Sequence, residues 1–302
     1  MSELIGGPIR RNGGKTHVAK RIIDHFPNAY HYAEPFFGAG GMYFSVPQDL
    51  YKVRSFNDID NLIISFFKEL RDNPEELQRV CSLTPYADRE LKEAFKQKDN
   101  QQLSSMEKAR IAWIIGRLAF ATHTNGWMYN NGTSSAPNVA TVCKNKADCL
   151  LEYAEQLRDV QIHNRDALDY IDAVDGPDTF LYCDPPYVTE SKTTKVTYLN
   201  EFSDDDHRRL ASKLHSAKAK VCISGYPSSL YEELYSTWRR LDFDRITQMG
   251  VGRNKEGANR TESIWMNYPE SEEIGQYKST SVKAKTPQEQ SLLSILKKRG
   301  KV

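Results

Sequence analysis

In "TFLYCDPPYV", residues 179–188, an apolar run ends abruptly in Asp184, Pro185, Pro186 and Tyr187. The two prolines fix φ near −65° and carry no N–H, so the Pro185 carbonyl stays free to accept a hydrogen bond. An ionised Asp184 is an acceptor only. Together they offer two acceptors to one NH₂ group, which draws the nitrogen out of planar conjugation and localises its lone pair. Tyr187 adds a flat face on which an amine-bearing ring can stack. Such a site suits methyl transfer from a sulfonium to a nucleobase amine. The electrophile is already activated, so no metal is expected, and rate comes from alignment and fixed dipoles.

A second chemical feature precedes it. "AEPFFGAGG", residues 33–41, places Gly38, Gly40 and Gly41 where a strand gives way to a turn. Glycines there let the backbone approach a ligand at the carboxyl end of a sheet. Asp58, in "FNDID", follows 20 residues after Gly38, at the end of the next strand, where an acid can hold ribose hydroxyls. Its competing role is a helix N-cap, for which Asp60 is better placed. The dinucleotide fingerprint G-x-G-x-x-G is incomplete, because Tyr43 stands at its third glycine. A cofactor with a ribose but no pyrophosphate fits better. "GGKT" at 13–16 is no phosphate loop, since Ile9 stands where the first glycine belongs. Lys15 is instead a candidate for a cofactor's carboxylate.

These residues need a sheet to position them. "KTHVAKRIIDHF" reads as a helix with Val18, Ile22 and Ile23 on one face. Strand, glycine turn and helix follow in "NAYHYAEPFFGAGGMYFSV", then a strand in "YKVRSFND" and an apolar helix in "IDNLIISFFKELRDN". This alternation marks a parallel sheet covered by helices. From about 75 to 160 the chain is helical, polar and strand-poor, with a loop at "TNGWMYNNGTSSAPN". Alternation resumes at "QIHNRDALDYIDAV", then "TFLYCD", "SDDDHRRLASKLHSA", "AKVCISGY" and the helix "PSSLYEELYSTWRRL". Ser203 with Asp206, and Ser228 or Ser229 before Glu232, resemble capping boxes. "DFDRITQMG" and "TESIWMNY", joined by the basic "VGRNKEGANR", read as a closing antiparallel hairpin.

The 302 residues, 39% hydrophobic and 27% charged, suit a globular protein with a sizeable core. No apolar run approaches the ~18 residues of a membrane span, and the N-terminus lacks a signal-peptide pattern. The five cysteines form no C-x-x-C pair, which points to a reducing cytoplasm. The net charge of +1 conceals a basic end: Lys278–Val302 holds seven basic residues against Glu289. A solvated terminus accounts for it; contact with a polyanion is the other reading.

EPFFGAG, NDID and DPPY in this order, after an N-terminal GGK, resemble the Dam-like, alpha-group DNA adenine-N6 methyltransferases. The matching motifs span roughly 10–190, and "RTESIWMNY" resembles the family's late strand. The resemblance implies an α/β, Rossmann-like class I fold binding S-adenosylmethionine, with a C-terminal antiparallel hairpin. It divides the chain into a catalytic core at 1–74 and 161–270, a helical target-recognition insertion at 75–160, and a basic tail at 271–302. It assigns Asp184, Pro185, Pro186 and Tyr187 to an adenine flipped out of double-stranded DNA. The cofactor set is Lys15, Glu34, Phe36, Phe37, Gly38, Gly40, Asp58, Ile59 and Asp166, the last also a candidate helix cap. DNA-contact candidates are Asn125, Trp127, Tyr129, Asn130, Arg253 and Lys255. A cognate restriction endonuclease is a further implied partner. One departure stands out: the family's recognition segment carries an arginine where this chain has Met128. Arginine is the commonest reader of guanine, so the target sequence does not follow from the analogy. Two other functions fit the same residues. One is methylation of another nucleobase amine, cytosine N4 or adenine in RNA; the other is a nucleic-acid-binding module without catalysis.

Overall fold

The apolar runs become a seven-stranded sheet. Its strands are β1 (His31–Glu34), β2 (Val53–Asn57), β3 (Gln161–His163), β4 (Thr179–Cys183), β5 (Lys220–Gly225), β6 (Arg239–Arg245) and β7 (Arg260–Met266). The order across the sheet is β3-β2-β1-β4-β5-β7-β6. The first five are parallel, while β7 runs antiparallel to both β5 and β6. The mostly parallel sheet with a closing antiparallel hairpin is the class I arrangement expected above. The computed structural model describes residues 6–11, 14–15, 18–120, 126–130, 137–188, 202–245 and 260–270. Apart from Glu270 they fall in one unit, Met1–Pro269.

Central β4 is buried at every position, as a strand covered on both faces must be. Its side chains alternate: Phe180 and Tyr182 join one apolar cluster, Leu181 and Cys183 the other. The helices are α1 (Ala19–Ile23), α2 (Asn61–Asp72), α3 (Pro74–Leu83), α4 (Asp88–Gln97), α5 (Ser105–Leu118), α6 (Val139–Asp148), α7 (Leu150–Glu155), α8 (Ala167–Val174), α9 (Asp204–Ser216) and α10 (Ser229–Leu234). The apolar face of α2 carries Phe66 and Phe67 into the core, and Trp113 of α5 stacks on Phe66. The helices between 75 and 160 thereby share one apolar cluster with the sheet. The capping expectations hold: Asp60 caps α2, Ser203 and Asp206 form a capping box on α9, and Ser228 caps α10. Among the described residues no helix is long and apolar enough to cross a membrane.

Three elements differ from the sequence reading. After the glycine turn there is no α-helix, only a 3₁₀ turn at Tyr43–Ser45. Tyr43 and Phe44 both drop into the core there, and Pro47 cannot donate to a continuing helix. Helix α1 is five residues long, because Pro27 disfavours helical geometry just before it. Strand β6 begins at Arg239, inside the stretch whose periodicity suggests helix. Pairing with β7 overrides that preference, and Arg240 lies opposite Trp265 with its guanidinium 5.4 Å from the indole.

The register brings the chemistry together. Cys183 pairs with Ile223, which sets Asp184 beside Ser224 at the carboxyl edge. Ala33 pairs with Leu181, and Glu34 with Phe56, so Glu34 and Asp58 reach the same edge. Because β7 is antiparallel, its beginning rather than its end lies there, and Gly225 opposite Ser263 brings Glu262 alongside.

Candidate active site at the carboxyl edge of the sheet

A cavity of ≈420 Å³ opens at this edge. Asp184, Pro185, Pro186 and Tyr187 border it on one side, and Glu34, Phe36, Phe37, Gly38, Asp58 and Ile59 on the other. Lys15 and Asp166 also reach it. Of the expected cofactor set only Gly40 stays off the wall. Its part is conformational: φ is +72°, and an added Cβ would meet Phe37 and Phe44 at 2.8 Å.

On the DPPY side, Asp184 Oδ1 accepts from Lys15 Nζ at 2.6 Å and from Ser224 Oγ at 3.1 Å. No described residue bonds its Oδ2. The Lys15 ammonium also donates to the Tyr187 hydroxyl at 2.5 Å and lies 4.7 Å from that ring's centroid. A third group reaches it: Glu262 Oε1 at 3.2 Å. Burial alone would lower the lysine's pKa. The negative charges of Asp184 and Glu262, with the Tyr187 hydroxyl accepting beside them, outweigh burial and hold it well above the usual range. Burial keeps the Tyr187 phenol protonated despite the nearby ammonium. The Tyr187 ring rests against Tyr226, with centroids 4.4 Å apart. Lys15 thus borders the cavity while tied to Asp184.

On the other side, Gly38 has φ +55° and donates its N–H to Asp58 Oδ2 at 2.7 Å. Asp58 Oδ1 accepts from Asp60 N at 2.9 Å, so Asp58 organises the turn and leaves helix capping to Asp60. Burial raises the Asp58 pKa, opposed by Arg11 and the two backbone N–H groups. Arg11 itself pairs with Asp60. Asp166 caps α8 through Leu168 N at 2.8 Å and also borders the cavity. Glu34 is 2% exposed and accepts from Tyr32 Oη at 2.6 Å; burial pushes its pKa to about 8.

Sequence reasoning missed several supports. Asn57 bonds the Pro35 and Arg165 carbonyls and the Arg165 N–H, tying the glycine turn to the loop that carries Asp166. Ser224 carried no motif, and its only signal was a polar residue inside the apolar run of β5; Glu262 lay in the stretch likened to the family's late strand but was given no role.

The DNA-contact candidates divide. Asn125, Arg253 and Lys255 lie outside the described residues, as does the tail at 271–302. Trp127 and Tyr129 stack at 5.3 Å, and Tyr129 is 63% exposed. Asn130 uses its amide locally, donating to Pro137 O and accepting from Val139 N. Beside Met128, where the arginine is missing, the chain brings another: Arg10 Nη1 is 3.5 Å from the Met128 sulfur. Arg10 is fixed there by bonds to the Gly116 and Arg117 carbonyls.

Comparison with known proteins agrees with this geometry. Residues 12–249 match the family described as D12 class N6 adenine-specific DNA methyltransferase. The chain is 29% identical to the Type II methyltransferase M1.LlaDCHI of Lactococcus lactis subsp. cremoris, over 85% of this chain and 93% of that protein. It is 26% identical to the Type II methyltransferase M.MjaIII of Methanocaldococcus jannaschii, over 85% and 96%. It is also 26% identical to a DNA adenine methylase of Vibrio cholerae, over 80% and 90%. With a family match over most of its length and the DPPY and glycine-turn elements facing one cavity, the chain belongs to the D12 class of N6 adenine-specific DNA methyltransferases.

Proposed function

We propose that the cavity binds S-adenosylmethionine against the glycine turn, and that Asp184, Pro185 and Tyr187 hold a flipped-out adenine of double-stranded DNA for methylation at N6. One observation carries the reading: among the described residues Asp184 is held through Oδ1 alone, at the wall of a cavity that the Gly38–Asp58 turn also borders. The wall suits this donor. A Cβ added at Gly38 would meet nothing within 4 Å, so the backbone there is open to a ligand. Asp58 is positioned for ribose hydroxyls, Asp166 for an adenine amine, and Phe36 with the 56% exposed Ile59 for apolar contact.

When bound, the donor supplies an electrophilic methyl whose bonding pair returns to sulfur as the neutral thioether leaves. The protein does the rest. Asp184 and the Pro185 carbonyl accept the two N6 protons, so the nitrogen lone pair is directed out of the ring's conjugation. Tyr187 stacks on the base and Lys15 fixes the tyrosine hydroxyl. After transfer the surplus N6 proton passes to Asp184 and on to water. Fixed dipoles of this kind lower the barrier because they need no reorganisation.

The helices between 75 and 160 form the target-recognition insertion in this reading, with Trp127 and Tyr129 at its DNA face. A cognate restriction endonuclease and a cytoplasmic setting belong to the same proposal; the Type II naming of two relatives supports the first. Mass spectrometry of nucleosides from DNA incubated with protein and donor tests the proposal. N6-methyldeoxyadenosine is expected; N4-methyldeoxycytidine alone, or no modified nucleoside, contradicts it.

A further inference from the structure

We propose that Glu262 is a positioning residue for the transfer: from β7 it holds Lys15 charged and in place, so that Lys15 can fix Asp184 and Tyr187 relative to each other. This rests on the site assignment under Proposed function. Glu262 is 1% exposed, in a strand whose next four residues, Ser263–Met266, are also buried. A carboxylate at such a place is strongly disfavoured unless a cation meets it. Among the described residues Lys15 Nζ meets it, at 3.2 Å and 3% exposed. The two groups meet as an ion pair, a contact of charge with charge.

The groups facing the Lys15 ammonium come from three elements. Asp184 and Tyr187 follow β4, Tyr182 lies within it, Ser224 of β5 bonds the same Asp184 oxygen, and Glu262 belongs to β7. With Asp184 alone, a buried lysine has one counter-charge and a large desolvation penalty. A neutral lysine would no longer anchor Asp184 Oδ1 as a charge-assisted bond. Glu262 supplies the second negative charge. It also lets Asp184 present its other oxygen to the substrate amine without having to neutralise Lys15 by itself. The antiparallel entry of β7 places this carboxylate at the carboxyl edge, which a parallel strand in that position would not do at its beginning.

The test uses the full chain with Glu262→Gln and Glu262→Asp, the second keeping the charge and shortening the reach. Methyl transfer to DNA is measured against pH, donor affinity by equilibrium dialysis, and Lys15 reactivity by acetic anhydride labelling read by peptide mass spectrometry. For Glu262→Gln, kcat is expected to fall about tenfold, equivalent to one unit of pKa. The alkaline limb moves to lower pH than in the wild type, and Lys15 labels faster at a fixed pH. Donor affinity stays near wild type. Glu262→Asp, whose shorter side chain sets the charge farther from Lys15, moves the alkaline limb and the labelling rate in the same direction by less. A Glu262→Gln protein with the wild-type pH profile and labelling rate overturns the proposal. If Glu262→Gln does not fold, Glu262→Asp decides: faster Lys15 labelling than wild type supports the role, and an unchanged rate overturns it. A wild-type protein that transfers no methyl contradicts the site assignment instead, and the labelling comparison still stands on its own.

Discussion

The Lys15 ammonium lies 2.6 Å from Asp184 Oδ1 and 2.5 Å from the Tyr187 hydroxyl, so one buried side chain ties the amine acceptor to the stacking ring. Asp184→Ala removes the acceptor but leaves Lys15 with Glu262 at 3.2 Å, so the buried cation keeps a counter-charge. Loss of methyl transfer with a folded protein and a donor affinity within about threefold of wild type is therefore expected, that change being under ~1 kcal/mol. Calorimetric titration and nucleoside analysis check both halves; an active Asp184→Ala enzyme contradicts the mechanism.

Asp58 serves two masters, the Gly38 and Asp60 N–H groups. Asp58→Ala leaves both without their acceptor and removes the ribose partner. Donor Kd is expected to rise at least about tenfold, the effect of one or two lost charged hydrogen bonds. An unchanged Kd would reduce Asp58 to a turn-former.

Two positive-φ glycines of the turn, Gly38 and Gly40, separate conformation from space. Gly38→Ala costs about 1 kcal/mol for the left-handed backbone and places a methyl in the open. Gly40→Ala adds a clash with Phe37 and Phe44 at 2.8 Å, raising the loss to about 2 kcal/mol or more. Denaturant unfolding of both variants checks the order, which reverses if the turn relaxes freely.

Glu34 gives stability a pH dependence. In the unfolded chain it ionises near the ordinary glutamate value of 4.5, whereas the folded protein keeps the proton up to about pH 8. The folded state therefore binds more protons across that interval, and stability falls as pH rises, by at most about 1.4 kcal/mol per unit. Glu34→Gln keeps an acceptor for Tyr32 and removes this loss. Its melting temperature should exceed the wild type's by a margin that grows from pH 5 to 8 and then levels off. A margin independent of pH contradicts the buried neutral acid.

Arg10 stands beside Met128 and, like neighbouring Arg117 and Lys146, has no carboxylate ion pair among the described residues. Burial and Arg10 lower the Arg117 pKa, and burial and Arg117 lower that of Lys146. Mutually repelling cations suit a polyanion. Arg10→Ala is expected to weaken DNA binding and to reduce the slope of log K against log salt by about 0.9, one phosphate contact. An unchanged slope with altered base preference would make Arg10 a reader of bases instead.

The strands and the site were legible where local chemistry is strict. The end of β4 shows in Asp184 and the prolines, and the turn shows in its glycines. What was not legible depends on pairing across the sheet. Glu262 lies 78 residues from Asp184 in sequence and meets the same lysine only because β7 turns antiparallel. The helical periodicity before Arg239 was genuine but lost to strand pairing. The missing helix after Gly41 was decided by two aromatics that both bury, which a one-face pattern does not anticipate. Lys15 was read as a site residue, but its partner depends on a three-way charge balance that spacing does not encode.

Sequencing that detects methylated bases, applied to DNA incubated with donor and either wild type or Asp184→Ala, tests the central claim most directly. N6-methyladenine at every copy of one short sequence with wild type, and at none with Asp184→Ala, is the predicted result. Unmethylated adenines with wild type, or the same map with both proteins, would contradict it.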